Sequence, residues 1–340
     1  MRYVGAGVLA GLGAVAAWLL RGGPRLPPDT DAIIERLSQS DLSHVVAGET
    51  GYADSSGVRI WYEAIPARAP EKGVVLLNIS MAGNSLFWPP SFIRGLTGAG
   101  YRVIRYDQRG TGASDWLEDW DRKHAYSLLD MSADAIAVLD ATQVDRAHLI
   151  GLSLGGFVAQ EIAIAHPDKV ASMTLMSSAA DPTDASLPGL RSGPLLRSAL
   201  AGLPLLRYRL MGGEKNLVKE VIAKTISGNG YEGLHAEELT ELVLYDLRYR
   251  RGINLRAILQ HQAAVAATRS RYELLPNLRV PALVVHGTAD TFIPVEHAEK
   301  LVELIPGAQY LWLEGVGHQF PYPDMTAVTR EIVSHLDHSA

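Results

Sequence analysis

Short apolar runs alternate with amphipathic stretches along most of the chain. The first two runs, residues 48–53 and 58–65, flank Asp54-Ser55-Ser56-Gly57 and are typical of a β-hairpin. Further apolar runs predict strands at 74–77, 102–106, 147–151, 171–176, 280–287 and 309–313. Helical patterns lie between the strands, notably at 128–142 and 154–166. This alternation predicts an α/β fold with a mostly parallel central sheet that helices flank on both faces.

The rhythm of strands stops between Ser178 and Leu278. Helical patterns replace it at 190–211, 215–227, 236–249 and 253–268. Helices inserted between two core strands predict a cap, which would act as a lid over the carboxyl ends of the strands. Five cap residues either line an apolar substrate pocket or pack the cap onto the core: Leu203, Leu205, Leu206, Leu210 and Met211.

The predicted organisation has five parts along the chain. They are an N-terminal membrane segment (1–22), a Gly/Pro-rich tether with a short helix (23–47), the first part of the core (48–178), the inserted helical cap (179–278) and the second part of the core (279–340). One large α/β domain with an insertion suits the length of 340 residues better than two independent domains do.

The first residues form a separate apolar segment. Tyr3–Leu20 is uncharged, about 18 residues long and bracketed by Arg2 and Arg21, which is near the shortest helix that spans a bilayer. We predict an N-terminal apolar helix that acts as an uncleaved signal-anchor and holds the rest of the chain outside the cytoplasm. Ala14-Val15-Ala16 leaves open a cleaved signal peptide, with a secreted or periplasmic product, and a peripheral helix is the third interpretation.

Composition narrows the classes of function. Apolar residues make up 47% of the chain and charged residues 20%, which is typical of a globular protein with a large core. The formal charge of −6 and the lack of a basic stripe argue against a nucleic-acid partner. There are no cysteines, which excludes disulfides and thiolate chemistry. His148, His261 and His286 are not spaced as metal ligands, and we expect neither a metal nor a cofactor.

Ser153 lies in the motif Gly151-Leu152-Ser153-Leu154-Gly155, between a predicted strand and a predicted helix. A sharp strand-to-helix turn forces its central residue into a strained conformation and needs small neighbours. Such a turn exposes the serine Oγ above the end of the sheet. The simpler interpretation is a tight glycine turn with an incidental serine, but the strand–turn–helix setting favours a nucleophile.

Two further residues complete a possible catalytic set. Asp290 follows the strand at 280–287, and His318 follows the strand at 309–313. Alone, each has an ordinary explanation as a loop-capping aspartate or a surface histidine. A serine, an acid and a histidine in this order, each beyond the carboxyl end of a strand, predict a catalytic triad in which His318 is the base and Asp290 orients it.

These motifs resemble those of α/β-hydrolases, and the resemblance covers Gly48 to the C-terminus. The motifs that carry it are Gly151-Leu152-Ser153-Leu154-Gly155-Gly156, Gly287-Thr288-Ala289-Asp290, Gly317-His318 and the loop Arg105–Ser114. Val103–Asp107 and Trp88-Pro89 resemble, more narrowly, the group that contains aclacinomycin methylesterase. The resemblance implies a serine carboxylic-ester hydrolase of the α/β-hydrolase fold that forms an acyl-enzyme with a small to medium apolar ester.

The resemblance also implies an oxyanion hole made of backbone N–H groups. Ile79-Ser80 stands where the family has His-Gly, and counting back from Trp88 places Met81 at the donor position, with Ser80 as the alternative. The second expected donor is the N–H of Leu154. Trp88 either contacts the acyl group of the substrate or anchors this loop.

Other functions would use the same residues. Asp107 and Arg109 resemble catalytic groups but are expected to shape their loop through hydrogen bonds. The triad would equally serve a hydrolase of carbon–carbon bonds in vinylogous diketones or a cofactor-free perhydrolase. A non-catalytic module that binds a small ligand is the alternative from another class. Serine at 153 argues against the dehalogenase and epoxide hydrolase branches, which have aspartate there.

Overall fold

The apolar runs become the strands of one sheet. The computed structural model describes residues 22–188, 202–229, 234–318 and 322–339. In these ranges the strands are β1 (Glu49–Ser55), β2 (Val58–Ile65), β3 (Gly73–Asn78), β4 (Tyr101–Tyr106), β5 (Ala147–Leu152), β6 (Val170–Met176), β7 (Ala282–Gly287) and β8 (Gln309–Leu313). They pair in the order β1-β2-β4-β3-β5-β6-β7-β8.

The sheet is mostly parallel, as predicted. β1 and β2 form the antiparallel hairpin, which turns through Ser56 and Gly57 with positive φ angles of 54° and 86°. β2 also pairs antiparallel with β4, and every later pairing is parallel. The strand order reverses at β3 and β5. In an open α/β sheet such a reversal leaves a crevice at the carboxyl ends of the strands.

Helices connect the strands close to the predicted positions. Their bounds are α1 (Thr30–Leu37), α2 (Pro90–Gly98), α3 (Leu128–Ala141), α4 (Leu154–Ala165), α5 (Leu206–Met211), α6 (Glu214–Asn229), α7 (Ala236–Tyr249), α8 (Arg256–Ala266), α9 (Val295–Leu304) and α10 (Tyr322–Asp337). α3 begins where the sequence predicts it because Ser127 and Asp130 form a capping box at its N-terminus.

The sheet has apolar residues on both faces. Alternate residues of β3 belong to different clusters: Val74 and Leu76 to one, Val75 and Leu77 to the other. Because successive side chains of a strand point to opposite faces, the two clusters lie on opposite sides of the sheet. The first contains apolar residues of α3, α4 and α9, and the second contains those of α2 and α10. Helices therefore cover both faces of the sheet.

The chain divides into two compact units. The larger contains Ser43–Leu190 and Arg248–Ala340, and the smaller contains Met1–Leu42 and Arg191–Leu247. The boundaries differ from those of the predicted cap, 179–278, because α8 hydrogen-bonds to loops of the sheet unit. Gln260, for example, donates to the carbonyl oxygen of Leu117 over 3.0 Å.

In the smaller unit, Asp31 of α1 pairs with Lys219 of α6 at 2.7 Å. The action of the cap as a lid stays a prediction.

Parts of two predictions lie outside the described residues. These are the N-terminal apolar helix, Tyr3–Leu20, and residues 189–201 of the predicted cap helix at 190–211. The described end of that stretch forms a short 3-10 helix, Leu203–Leu205, followed by α5. Across the ranges that the structure describes, no helix combines the length and the apolar character needed to cross a membrane.

Candidate active site

The carboxyl ends of β3 and β5 lie side by side at the reversal of the strand order. Asn78, the last residue of β3, is in register with Gly151 of β5. The connection after β3, residues 79–84, therefore starts beside the turn that follows β5. We call residues 79–84 the β3 loop. This placement brings the predicted oxyanion donor and the predicted nucleophile to the same crevice.

Ser153 occupies the turn between β5 and α4. Its φ of 55° and ψ of −115° lie in a region that residues with a Cβ avoid. The backbone N–H donates to the carbonyl oxygen of Met176 over 2.8 Å. The carbonyl oxygen of Ser153 accepts from the N–H of Gly156 at 2.9 Å and from Ser178 Oγ at 3.0 Å. These bonds hold the turn, and its strain costs about 1–3 kcal/mol.

Glycine is required on both sides of the serine because backbone atoms approach too closely for a Cβ. A Cβ on Gly151 would lie 2.3 Å from the carbonyl oxygen of Gly155, and a Cβ on Gly155 would lie 2.0 Å from that of Asn78. At Gly156 it would lie 2.5 Å from Ser178 Oγ. The glycines of the motif thus permit the strand, the turn and the helix to pack together.

Asp290 lies just beyond β7, and both of its carboxylate oxygens form hydrogen bonds. One carboxylate oxygen, Oδ1, accepts the N–H groups of Phe292 at 2.8 Å and of Ile293 at 2.9 Å. The other, Oδ2, lies 2.7 Å from His318 Nδ1. These bonds leave the carboxylate with one orientation, directed at the histidine.

His318 connects Asp290 to Ser153. Its Nε2 lies 3.1 Å from Ser153 Oγ, and its Nδ1 bonds to the Asp290 carboxylate. The ring is tilted against Phe292, with the ring centroids 5.4 Å apart. The structure thus brings together three side chains that are separated by 137 and 28 positions along the chain. The distances fit a proton relay from the serine to the histidine.

The loops that carry Asp290 and His318 are joined by backbone bonds. The N–H of Thr288 donates to Leu313 O at 3.0 Å, and the N–H of Ala289 donates to Val316 O at 2.9 Å. The N–H of Gly315, whose φ is 72°, donates to Thr288 Oγ1 at 2.9 Å. The distance between Asp290 and His318 therefore depends on the pairing of β7 with β8.

The Asp290 carboxyl is strongly favoured in its ionised form. Burial by itself would raise the pKa of Asp290, but hydrogen bonds to His286 and His318 and the N–H of Ile293 outweigh it, so that the pKa lies well below its ordinary value. Nε2 of His286 lies 3.4 Å from Asp290 Oδ2 and also bonds to Ile293 O at 2.8 Å. An ionised Asp290 can stabilise a positive charge on His318.

The two predicted oxyanion donors lie in the connections that follow β3 and β5. The Met81 N–H is in the β3 loop, and the Leu154 N–H is at the first residue of α4, where the helix dipole favours negative charge. Within the described ranges, neither N–H donates a hydrogen bond to a protein group. The next N–H, that of Ala82, does donate, to His261 Nδ1 at 3.1 Å.

Trp88 lies in the core beside the β3 loop. It is 1% exposed, stacks on Phe92 with ring centroids 5.5 Å apart, and belongs to the same apolar cluster as Ile79. Of the two predicted roles, this packing favours anchoring of the loop over contact with a substrate.

Asp107 and Arg109 hold loops, in agreement with the sequence interpretation. Asp107 Oδ1 accepts from both the N–H and the Oγ of Ser85 at 2.8 Å, and its other oxygen binds Arg250. The Arg109 guanidinium forms a two-pronged pair with Asp134 at 2.6 and 2.7 Å. Neither side chain joins Ser153 or His318.

Three residues that support the site carried no signal in the sequence. His286 contacts Asp290, His261 binds the β3 loop, and Gln108 Nε2 donates to Ile79 O at 2.9 Å. For His261 and Gln108 the contacts join residues 179 and 29 positions apart, which no local pattern reveals. His286 is only four residues before Asp290, but that spacing by itself predicts no role.

Comparisons with known proteins show the family to which the chain belongs. The profile of the alpha/beta hydrolase fold family matches residues 73–322. A rhodomycin D methylesterase of Streptomyces sp. strain C5 is 30% identical over 294 residues, which are 82% of this chain and 95% of the relative. One from Streptomyces peucetius has the same identity and coverage. The esterase RhEst1 of Rhodococcus sp. ECU1013 shares the fold, with a TM-score of 0.65 at 23% identity, over 86% of this chain and 99% of that chain.

Replacing Gly155 with alanine should lower the free energy of unfolding by about 1–3 kcal/mol, because the added Cβ meets the backbone of Asn78. Gly98→Ala is the matched control, since Gly98 ends α2 and a Cβ there has no atom within 4 Å. That control should be neutral or stabilising by up to about 1 kcal/mol. Urea unfolding followed by circular dichroism measures both. Equal stability of the two variants would contradict the close contact between β3 and α4.

Proposed function

Because the chain belongs to the alpha/beta hydrolase fold family, we propose that it is a serine carboxylic-ester hydrolase in which Ser153, His318 and Asp290 form the catalytic triad. The observation that carries the proposal is the continuous set of contacts from Asp290 Oδ2 through His318 to Ser153 Oγ, at 2.7 and 3.1 Å. The strained turn at Ser153 supports it, since strain of this kind is retained at functional sites.

The first half of the reaction forms an acyl-enzyme. His318 Nε2 takes the proton of Ser153 Oγ, and the oxygen attacks the ester carbonyl carbon. Asp290 keeps the proton of His318 on Nδ1, which leaves Nε2 free to accept, and its negative charge stabilises the imidazolium. The tetrahedral intermediate collapses when the carbon–oxygen bond to the alcohol breaks. The alcohol leaves with the proton that His318 returns.

The oxyanion of the intermediate is bound by the N–H groups of Met81 and Leu154. Both N–H groups lack a protein acceptor in the described part of the chain, so binding the oxyanion breaks no existing bond. The N-terminus of α4 adds a positive potential at Leu154. One such donor contributes about 3 kcal/mol of transition-state stabilisation.

The second half of the reaction releases the acid. Water replaces the alcohol, His318 removes one proton from it, and the hydroxide attacks the acyl carbon. The bond to Ser153 Oγ then breaks, and the serine recovers its proton from His318. Each residue ends in its starting state.

We propose a small to medium apolar ester as the substrate. Two relatives that cover 82% of the chain are named methylesterases, and methyl esters leave a small alcohol. The carbonyl of an ester presents the electrophile and the developing oxyanion that the triad and the two N–H groups require. Carbon–carbon bond hydrolysis of a vinylogous diketone, or perhydrolysis, which makes a peracid from a carboxylic acid and hydrogen peroxide, would use the same groups. Both serve as alternative outcomes of the test below.

We also propose that the N-terminal apolar segment holds the hydrolase at a membrane, outside the cytoplasm. Within the smaller unit, the Arg207 guanidinium donates to the carbonyl oxygen of Gly22, and Leu26 packs against Leu205 and Tyr208. The tether thus starts beside α5. Support comes from four exposed apolar side chains at this place: Leu203, Leu206, Leu210 and Met211. Leu210 is 88% exposed, and a group of exposed apolar side chains is typical of a surface that a lipid or a partner covers.

The purified full-length protein, in mild detergent, should hydrolyse p-nitrophenyl esters, and Ser153→Ala should reduce turnover at least about 10⁴-fold because no nucleophile remains. A panel from acetate to palmitate gives the preferred acyl length. A fluorophosphonate probe should add once, at Ser153, as read by intact mass.

Each other outcome of this panel changes the assignment. Labelling of Ser153 without ester turnover would move the assignment to a carbon–carbon bond hydrolase, assayed with a vinylogous diketone, or to a perhydrolase, assayed by peracid formation from a carboxylic acid and hydrogen peroxide. A folded protein with neither labelling nor turnover would favour a binding module. Turnover that survives Ser153→Ala would contradict the triad.

Asp290→Asn should lower kcat by up to about 10⁴-fold with little change in KM. The amide would favour the wrong tautomer of His318 and would not stabilise its cation. Asp168→Asn, at an exposed position after α4, is the control with the same chemical change and should leave kcat unaltered. Equal kcat values for both variants would remove Asp290 from the mechanism.

The absence of cysteine allows a single-site test of the membrane proposal. An environment-sensitive dye on Leu210→Cys should shift its emission to the blue when the full-length protein is reconstituted into vesicles, because α5 would contact acyl chains. A dye on Asp168→Cys serves as the control. Identical spectra at the two positions would show that this face does not enter the lipid, and recovery of the intact protein from the soluble fraction would refute the anchor.

A further inference from the structure

His261 connects two loops beside the catalytic residues. It lies in α8, is 0% exposed, and bonds through both ring nitrogens. Nδ1 accepts the N–H of Ala82 at 3.1 Å, and Nε2 donates to the carbonyl oxygen of Arg109 at 3.0 Å. Since one nitrogen accepts and the other donates, the partners define a neutral imidazole with its proton on Nε2.

The neutral form of His261 persists at neutral pH. Burial lowers the pKa of His261 to about 4, an effect that the bond to Arg109 O opposes and the charge of Arg109 reinforces. The lone pair on Nδ1 of His261 is therefore available to the Ala82 N–H at neutral pH.

Ala82 lies in a strained turn. The N–H of Gly83 donates to the carbonyl oxygen of Ser80 at 3.1 Å, and Ala82 has a φ of 55° at the third position of this turn. Positive φ at that position is typical of a type II turn, which favours glycine there. Rotation of the peptide between Met81 and Ala82 would convert the turn to type I and remove the strain.

The bond to His261 opposes that rotation. The N–H of Ala82 belongs to the peptide that would rotate, and Nδ1 of His261 holds it in place. Other bonds hold the start of the β3 loop and the residue that follows it: Gln108 donates to the carbonyl oxygen of Ile79, and Asp107 accepts from Ser85. Among the described hydrogen bonds, the one that His261 Nδ1 accepts from Ala82 is the contact on the central peptide of the turn.

We propose that His261 is a positioning residue for the oxyanion hole. By accepting the N–H of Ala82, it keeps the turn in the form that presents the neighbouring Met81 N–H to the substrate. This inference rests on the proposed function, because it assigns His261 to the step in which the oxyanion forms. His261 itself does not touch the reacting atoms.

Two substitutions separate the two bonds of His261. In His261→Asn, the side-chain oxygen can occupy the place of Nδ1 and accept from Ala82. In His261→Gln, the longer amide reaches the place of Nε2 and can donate to Arg109 O, but it leaves Ala82 without an acceptor. We expect kcat for the preferred ester to fall about 10–100-fold in His261→Gln with KM nearly unchanged, and less than about 5-fold in His261→Asn.

Binding of a transition-state analogue distinguishes a change in the oxyanion hole from a general loss of structure. A boronic acid that adds to Ser153 places an oxygen in the oxyanion hole. Its inhibition constant should rise in His261→Gln by the same factor as kcat falls, whereas the inhibition constant of the product acid should stay within about 2-fold. Ala82→Gly in the His261→Gln background should restore most of kcat, because glycine adopts a positive φ without strain.

His148 is the matched control. It is also buried, at 3% exposure, has a pKa lowered to about 4, mainly by burial, and bonds to Ser172 Oγ at 2.8 Å near the start of β5. His148→Gln should lower the melting temperature as His261→Gln does, yet leave kcat and boronate binding unaltered.

The inference is overturned if both glutamine variants lose activity in proportion to stability, if Ala82→Gly restores nothing, or if His261→Gln turns over like the parent. If the parent itself shows no Ser153-dependent turnover, the proposed function has failed instead.

Discussion

The backbone of Ser153 adopts a conformation that residues with a Cβ avoid, and the surrounding packing is arranged to maintain it. Met176 and Ser178 bond to the turn, and the glycines of the motif allow β3, β5 and α4 to approach within distances that exclude a Cβ. If any of these contacts relaxed, the turn would lose its strain and the Oγ would leave its position opposite His318. The strain is therefore maintained by the centre of the sheet rather than by the turn alone.

The contact between Asp290 and His318 depends on a different kind of support. Asp290 and His318 are held at 2.7 Å by backbone bonds between the loops that follow β7 and β8. Hydrogen bonds outweigh the burial of Asp290, so the carboxylate stays ionised in a place where an unpaired charge would be unfavourable. The electrostatic field at His318 thus follows from the register of two strands, and the sheet determines the geometry and the charge of the site together.

Residues outside the β3 loop hold it in its conformation. In the loop after β4, Gln108 binds Ile79 at the start of the β3 loop and Asp107 binds Ser85, the residue that follows it. His261 of α8 binds the peptide in the middle. This dependence gives a physical reason why the loop could serve the proposed oxyanion hole with Ile79-Ser80 at the place where the resemblance predicts His-Gly. A backbone donor needs a fixed peptide plane, and side chains from distant parts of the chain can supply the constraint. The contacts of α8 with these loops also explain why it groups with the sheet unit, although its amphipathic pattern alone resembles that of the other predicted cap helices.

The amino-acid sequence by itself determined the strands, the helices of the core and the parallel sheet. It also identified the three residues that come together, Ser153, Asp290 and His318. These properties follow from apolar periodicity and from glycines at a turn that tolerates no other residue, and both are local in the chain. The roles of His261, His286 and Trp88, and the boundary between the two units, were decided only by the tertiary structure. Each rests on contacts between distant segments, such as Ala82 with His261, whose partners leave no periodic trace in the sequence. A local pattern specifies which groups are present, whereas the direction of an N–H or a lone pair depends on what packs against it.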